Sequence, residues 1–493
     1  MDNNERSGIP QGLNIVEELQ KKGMRISIEA EVFLKENERK KDLLEKIISL
    51  KKTFIEKKDI EEMFKNLEEE KLEIVVNRQA SFRPIAKEYE SKIEVLHKKE
   101  VTGKSTTTGG VEDFVNYFQD RYRKLSVLIR KTTSKYPKVS IGEVKKSLND
   151  KVTLIVIITN IQKTKKGNIL VEIEDLTGQF KAVLSMNDDK LKKKAECLLL
   201  DDIVALEGKV LDAFLIVEDV NWPDLPVTRE RKYSENDLAV AYLSDIHFGS
   251  KYFIEEYLER FIDWVNGRSG AQELASKLKY ITIAGDIADG IGVYPNQEKE
   301  LVVLDVYKQY KLFDDFVSRL PDYITVIITP GNHDAVRRGE PMPAMGKDLV
   351  QSEVVSLGNP SSVVIEGLKH LLYHGTSMDS MISALGYLSY KKPEKVMEEF
   401  LKRRHLSPIY GGNLIIPEKV DYLVIDDEPD VMHVGHIHKN GYGYYRGTLL
   451  INSGTFQART EFQIKQGHIP TPGLVPVYEM KNGRLKTLDL TVS

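Results

Sequence analysis

At 493 residues the chain exceeds what one hydrophobic core holds, since single cores stop growing at roughly 250 to 300 residues, and two or three domains are expected. Apolar residues make up 41% and charged residues 30%, a balance that excludes a disordered or membrane-spanning chain. The single cysteine, Cys197, excludes an internal disulfide and a thiolate zinc site and fits a reducing, cytoplasmic compartment. A formal net charge of -4 gives no global basic field, so any nucleic-acid contact needs a local patch, metal ions or a partner chain.

Met1 to Pro10 is polar, without the apolar core of a signal peptide. Apolar runs such as Leu154 to Ile158 are far short of the roughly 20 residues of a membrane helix, so no membrane span is expected. Residues 12 to 72 read as short helices: Ile15 to Lys22, stopped by Gly23, then Glu31 to Lys52 and Asp59 to Lys71. Leu43, Leu44, Ile47, Ile48, Ile60 and Phe64 recur there at three- and four-residue intervals. A small helical domain over residues 1–75 is expected, with the charges between these positions forming its solvated face.

Residues 76–150 read as a partly flexible linker, because Val101 to Gly110, VTGKSTTTGG, is small and polar. Just after it, Phe114, Tyr117, Phe118, Tyr122, Leu125 and Leu128 make an apolar helical stripe that should pack on a neighbouring domain. Residues 151–225 alternate like strands: Val152 to Ile158, Ile169 to Ile173, Phe180 to Leu184, Ile203 to Leu206 and Leu211 to Val217. A helix-like Lys190 to Cys197 lies between the third and fourth. That order suggests an OB-fold β-barrel. Its aromatics are few, essentially Phe180 and Phe214, which favours a packing module over a nucleic-acid platform, although lysines 163, 165 and 166 keep binding in view.

Residues 236–493 change pattern to buried strands that run into loops rich in Gly, Asp and His. Leu238 to Leu243, Tyr280 to Ala284, Ile324 to Ile328 and Val431 to Val434 each end in a polar cluster, the placement expected for catalytic groups in α/β architectures. The clusters are Asp245-Ile246-His247, Gly285-Asp286, Gly331-Asn332-His333-Asp334, His374-Gly375 and Gly435-His436-Ile437-His438. All hold ligands for hard or borderline cations. Alternate residues share a face at a strand end, so Asp245 and His247 can converge on one ion, and His436 and His438 serve one ion each or the same one. Two-metal phosphoester hydrolysis needs a bridging carboxylate, for which Asp286 is the natural choice, and glycines beside it admit close backbone approach. His333 is placed to polarise the phosphate or assist the leaving oxygen, with Asp334 orienting it. Each cluster alone is commonplace. Together they take five of the ten histidines, whereas His97, His370, His405, His433 and His468 lack such settings, His433 being nearest to one.

This series resembles the calcineurin-like metallophosphoesterase superfamily, which implies a β-sandwich flanked by helices and two ions, often manganese, iron or zinc. The resemblance implies one ion held by Asp245, His247, Asp286 and His438, and another by Asp286, Asn332, His374 and His436, with His333 catalytic. The stretches GDIADGIGVYPNQ, TPGNHDAVRRGEP, YHGTSMDSMI and INSGTFQARTEFQ, behind a helical start, tether and barrel, are similar to the small-subunit family of archaeal family D DNA polymerases. That resemblance implies a multidomain α+β protein acting as a 3'-to-5' proofreading exonuclease on DNA primer 3' ends. It implies two divalent ions, manganese first, a large catalytic polymerase subunit as partner, and a cytoplasmic, nucleoid-associated setting. The alternatives are a subunit that chiefly scaffolds and activates the polymerase, and a free-standing metallophosphatase. Related double-strand-break repair nucleases carry a histidine three residues after the bridging aspartate, where this chain has Asp289. Arg337 and Arg338, just beyond His333, are candidates for gripping DNA phosphates. Tyr294 and Phe456 are nearby aromatics.

Overall fold

The computed structural model describes residues 19, 21–36, 47, 52, 54–61, 82–132 and 134–492, and the chain forms two units, residues 1–83 and residues 84–493. In the first unit the strand Arg25–Ile26 pairs in parallel with Phe54–Ile55 and leads into the helix Ile28–Glu36. Leu19, Ala30, Ile47, Ile55 and Ile60 are fully buried, and Asp59 accepts the Lys52 ammonium at 2.7 Å and the Glu56 amide at 3.0 Å. The expected helices Ile15 to Lys22, Glu31 to Lys52 and Asp59 to Lys71 lie partly outside the described residues.

The second unit is built on two six-stranded sheets. One runs in the order Val355–Ser356, Thr325–Thr329, Leu278–Ala284, Ala239–Leu243, Leu474–Glu479 and Arg484–Asp489, parallel across the first four. Ala239–Leu243 and Leu278–Ala284 are buried at every position, so they carry no polar alternation. The other sheet runs Gly441–Tyr445, Thr448–Asn452, Val431–Val434, Leu368–Tyr373, Ser361–Ile365 and Ile93–Val95, with Thr448–Asn452, Val431–Val434 and Leu368–Tyr373 mutually parallel. The sheets meet through Val240, Tyr242, Tyr280 and Ile327 on one side and Val363, Leu372, Val431 and Ile451 on the other. Tyr373, Met432, Val434 and Leu450 point away from that interior and pack on Met378, Met381, Val396, Met397 and Phe400 of the helices Met378–Ala384 and Pro393–Arg403. Parallel pairing in the first sheet requires crossovers, which the helices Glu255–Val265 and Val306–Ser318 supply. Glu255–Val265 buries Leu258, Phe261, Ile262 and Val265 at helical spacing, and Asp305 caps Val306–Ser318 by accepting the Tyr307 and Lys308 amides.

A five-stranded barrel precedes the sandwich. Lys151–Lys163, Ile169–Asp175, Gly178–Leu184, Leu215–Asn221 and Ile203–Val210 are neighbours in that order, and Ile203–Val210 closes onto Lys151–Lys163. The helix Asp189–Ala195 falls between the third and fourth strands in sequence, with the Asp188 carboxylate accepting two amides of its first turn. The last strand begins later than the expected Leu211, because Leu211 donates to the Phe214 carbonyl at 2.9 Å and the residues between form a turn.

Much of the expected linker is packed. Ile93–Val95 forms an edge strand of the second sheet, Val101 is buried, and Glu100 accepts the Gly358 amide at 2.9 Å. Small polar residues here serve as bonding groups rather than as spacer, for Ser105 Oγ donates to Glu418 at 2.5 Å and the Thr106 amide donates to the same carboxylate. The helix Val111–Arg130 buries Tyr117, Arg121, Leu125 and Ile129. Leu125 and Ile129 contact Ile155, Ile203 and Ala205 of the barrel, while Tyr117 joins the core around Phe400. Arg121 Nε donates to the buried Asp421 carboxylate at 2.8 Å. Among the described residues no helix is long and apolar enough to cross a membrane.

Candidate metal centre

Five parallel strands, drawn from both sheets, deliver polar groups to one place. Ala239–Leu243 leads to Asp245 and His247, Leu278–Ala284 to Asp286, Thr325–Thr329 to Asn332 and His333, Leu368–Tyr373 to His374, and Val431–Val434 to His436 and His438. Asp245, His247, Asp286, His436 and His438 have φ values of 52°, 57°, 51°, 68° and 57°, a left-handed region that residues with side chains seldom adopt. Such conformations cost on the order of 1–3 kcal/mol each and persist only where the surroundings hold them. Close packing is part of that restraint: a Cβ on Gly331 would lie 2.2 Å from Asp286 Oδ1, and one on Gly285, whose φ is 83°, would lie 2.5 Å from His374 Nδ1.

Backbone amides set the carboxylates. The His333 amide donates to Asp286 Oδ1 at 2.8 Å, which leaves Oδ2 facing His374 Nε2 at 3.2 Å and His247 Nε2 at 3.9 Å. The His436 amide donates to Asp245 Oδ2 at 2.9 Å. Asp245 Oδ1 is buried without a hydrogen-bond partner, 3.3 Å from His438 Nε2. His247 Nε2 and His438 Nε2 lie 3.1 Å apart, and Asn332 Oδ1 lies 2.9 Å from His374 Nε2 and 3.1 Å from His436 Nδ1.

These atoms fit divalent cations. Three histidines have their outward nitrogen engaged by an acceptor: His247 Nδ1 with Asp289 Oδ1 at 2.8 Å, His374 Nδ1 with the Ala284 carbonyl at 2.8 Å, and His436 Nε2 with Asp379 Oδ2 at 2.9 Å. Each such bond puts the proton outside and turns the ring's lone pair inward, the arrangement of a metal-ligating histidine. Asp245, His247 and His438, and Asp245, Asp286 and His374, each bring ligand atoms close enough to hold an ion. The electrostatics agree. Burial disfavours charge on His247, but Asp289 and Asp286 outweigh it and raise the ring to about 9. Burial likewise opposes charge on His374, and Asp286 and Asp245 bring it up to about 10. Asp286, which burial alone would raise, is held well below the usual carboxylate range by His374 and His333. The cluster thus demands positive charge, from protons or from cations.

Of the other expected residues, His333 stays with the cluster, forming with His247 and Asp286 a further group close enough to hold an ion, and the rest separate. His333 lines the cleft beside the cluster, its Nδ1 2.8 Å from the Asp289 carbonyl, and burial lowers its pKa. Asp334, expected to orient His333, does something else: its carboxylate accepts the amides of Gly331, Ala288 and Ile287 and the Tyr310 hydroxyl. It ties the loop after Thr325–Thr329 to the loop after Leu278–Ala284, and burial pushes it up to about 6. Arg337 is committed to the Pro341 carbonyl, Ser105 and Glu418, so it is not a free phosphate grip. Arg338 is exposed and donates only to carbonyls of Gly292 and Val293. Phe456 is buried in the core. His433 is fully buried between Thr282 Oγ1 at 3.1 Å and Ser453 Oγ at 2.9 Å, a structural position.

A cleft of about 450 Å³ opens over the cluster, lined by His247, Asp286, Asn332, His333, His436 and His438, with Tyr294 and Tyr390 among its other walls. Sequence reasoning missed Asp379, Tyr390, Gln463 and His468, all of which line it. Gln463, in the helix Glu461–Gln466, places its amide nitrogen 2.9 Å from His438 Nδ1. Asp379 carried a signal, lying five residues after His374 within YHGTSMDSMI; the others carried none until folding brought them in.

A sandwich whose parallel strands converge on this His, Asp and Asn set defines a metallophosphoesterase, and the calcineurin-like phosphoesterase family model matches residues 238–440. Such a domain implies a hydrolase that uses divalent metal. The chain is 42% identical over 431 residues to the DNA polymerase II small subunit of Archaeoglobus fulgidus, covering 86% of each chain. To the proteins of that name from Methanocaldococcus jannaschii and Methanothermobacter thermautotrophicus it is 40% and 37% identical, covering 80% of this chain and 68% and 82% of those. It belongs to the archaeal DNA polymerase II small-subunit family.

Proposed function

We propose that this chain is the 3'-to-5' proofreading exonuclease of a two-subunit archaeal DNA polymerase, hydrolysing DNA phosphodiesters at primer 3' ends with two divalent ions. The observation that supports this most is Asp286, whose Oδ2 faces His374 Nε2 at 3.2 Å and His247 Nε2 at 3.9 Å, so that one carboxylate serves two donor sets. In this reading Asp245, His247, Asp286 and His438 hold one ion, and Asp286, Asn332, His374 and His436 the other. Bound ions, manganese first with iron or zinc as alternatives, supply an acidified water and offset charge on the phosphate. His333, fixed through Nδ1 by the Asp289 carbonyl, would, when its ring takes up a second proton, present Nε2–H to the phosphate or to the leaving oxygen. Asp334 keeps the two ligand loops in register. Arg338, exposed near the cleft, takes a neighbouring DNA phosphate.

The relatives' name supports a large catalytic subunit as partner, in a cytoplasmic, nucleoid-associated assembly. The closed order of the barrel supports an OB-fold over residues 151–225, between a helical domain at 1–75 with its connection through 76–150 and the phosphoesterase domain at 236–493. Asp286→Ala and His333→Ala are expected to reduce manganese-dependent digestion of single-stranded or mismatched primer ends by about 10²-fold or more while circular dichroism stays unchanged. Full activity in both variants would overturn this function.

A further inference from the structure

The cleft has an aromatic wall that the metal cluster does not need. Tyr390 and His468 pack against each other as a tilted pair, with ring centroids 3.9 Å apart and planes 36° from parallel, both half-buried and both lining the cleft. His468 follows the helix Glu461–Gln466, which Gly467 ends with φ 73°, while Tyr390 comes from the loop between the helices Met378–Ala384 and Pro393–Arg403. Two separate segments thus bring one ring each to the same spot. The Tyr390 hydroxyl faces Asp379, whose carboxylate holds His436 at 2.9 Å, so the pair stands one residue away from the donor set. Across the cluster Tyr294 sits edge-on to His333, with centroids 6.1 Å apart.

The chemistry of the remaining wall narrows what such a pair receives. Among the described residues, no lysine or arginine lines this cleft. Charge on the phosphate is therefore left to bound ions, and the rings are available to another part of the substrate. Aromatic faces beside a phosphate site are suited to a nucleobase, because every base has a π-face whatever its sequence. A base still paired and stacked in duplex cannot enter a recess of this kind; it must first leave the stack, which is easiest for a mismatched or frayed end.

Resting on the nuclease reading above, we infer that the Tyr390–His468 pair is the seat for the unpaired nucleobase of the terminal nucleotide. Stacking there holds the strand end over the metal cluster and makes loss of pairing, not base identity, the basis of selection.

The test compares kcat and KM of the full chain, with manganese, on a single-stranded primer ending in an ordinary nucleotide and on one ending in an abasic deoxyribose. The wild-type chain is expected to show a KM about tenfold higher for the abasic end. Tyr390→Leu and His468→Ala are each expected to raise KM for the ordinary end and so shrink the difference between the two ends to about twofold or less. Tyr390→Phe, which keeps the ring and loses the hydroxyl, should retain the full difference. A wild-type chain indifferent to loss of the base overturns the seat, as does a Tyr390→Leu chain that weakens both ends equally, which would mean that Tyr390 acts through Asp379 and His436. A wild-type chain that digests neither end, both alone and in complex with its large subunit, overturns the nuclease reading itself, and the seat with it.

Discussion

Nε2 of His247 and Nε2 of His438 face each other across 3.1 Å in the buried centre, beside an Asp245 oxygen that no hydrogen bond satisfies. With its Nδ1 proton engaged by Asp289, His247 turns a lone pair into this gap. A cation reconciles the inward lone pairs of His247, His374 and His436 with the unpartnered Asp245 oxygen, so metal should stabilise the fold as well as activate it. Ions bound at about 100 times their Kd contribute about 2.7 kcal/mol per site. We expect thermal unfolding with excess manganese to lie several degrees above that in chelator. A melting curve unmoved by chelation would count against metal at this position.

The Asp289 carboxylate fixes the ring of His247 and also accepts from Gln297 and Gln457. Partners of this kind set ligand orientation and basicity, and their loss costs about 10- to 100-fold in metal affinity or activity. Asp289→Ala should therefore weaken manganese binding, measured by titration calorimetry, and should do so more than Arg338→Ala, which lies outside the donor set. Equal affinity in Asp289→Ala and wild type would sink this role.

Acid sensitivity should arise at three buried histidines outside the donor sets. Burial lowers His370 and His405 to about 4 and His433 to about 3, against 6.5 for an unhindered ring. Between pH 6.5 and about 4 the unfolded chain binds protons at these three sites that the folded chain refuses. The contribution of these rings is therefore full above pH 6.5 and falls as pH drops, each ring adding up to about 1.4 kcal/mol per pH unit. The urea midpoint should fall from pH 7 to pH 5, and His433→Gln, which can still bond Thr282 and Ser453, should shallow the slope. An identical slope in that variant would remove His433 as a cause.

The donor set was legible in the sequence because its residues sit directly after core strands, where apolar runs end in Gly, Asp and His. Strand ends and ligand chemistry mark the five clusters, the resemblance to the calcineurin-like phosphoesterases implies which of their residues are ligands, namely Asp245, His247, Asp286, Asn332, His374, His436 and His438, and the fold brings all seven to one place. The partners of those ligands were harder to read. Asp334 was assigned by adjacency to His333, yet neighbouring residues in a tight loop point different ways, and its carboxylate went to backbone amides instead. Arg337 looked like a surface cation because Glu418, which holds it, lies far along the chain. His468 and Tyr390 are distant in sequence, and their contact exists only once the chain has folded. The polar stretch Val101 to Gly110 read as spacer for a similar reason, since its bonding partners are remote.

The helix Val111–Arg130 carries one further consequence. Its single buried stripe is shared: Leu125 and Ile129 complete the barrel's flank, while Tyr117 and Arg121 are sunk in the sandwich side, the latter against Asp421. Neither half can lose the helix without exposing apolar surface and stranding a buried charge. Barrel and sandwich are therefore expected to melt as one cooperative transition, and a chain cut between them would leave two incomplete pieces instead of two modules. Strain arriving at the barrel, from DNA or from another subunit, has a stiff rod through which to reach the cleft.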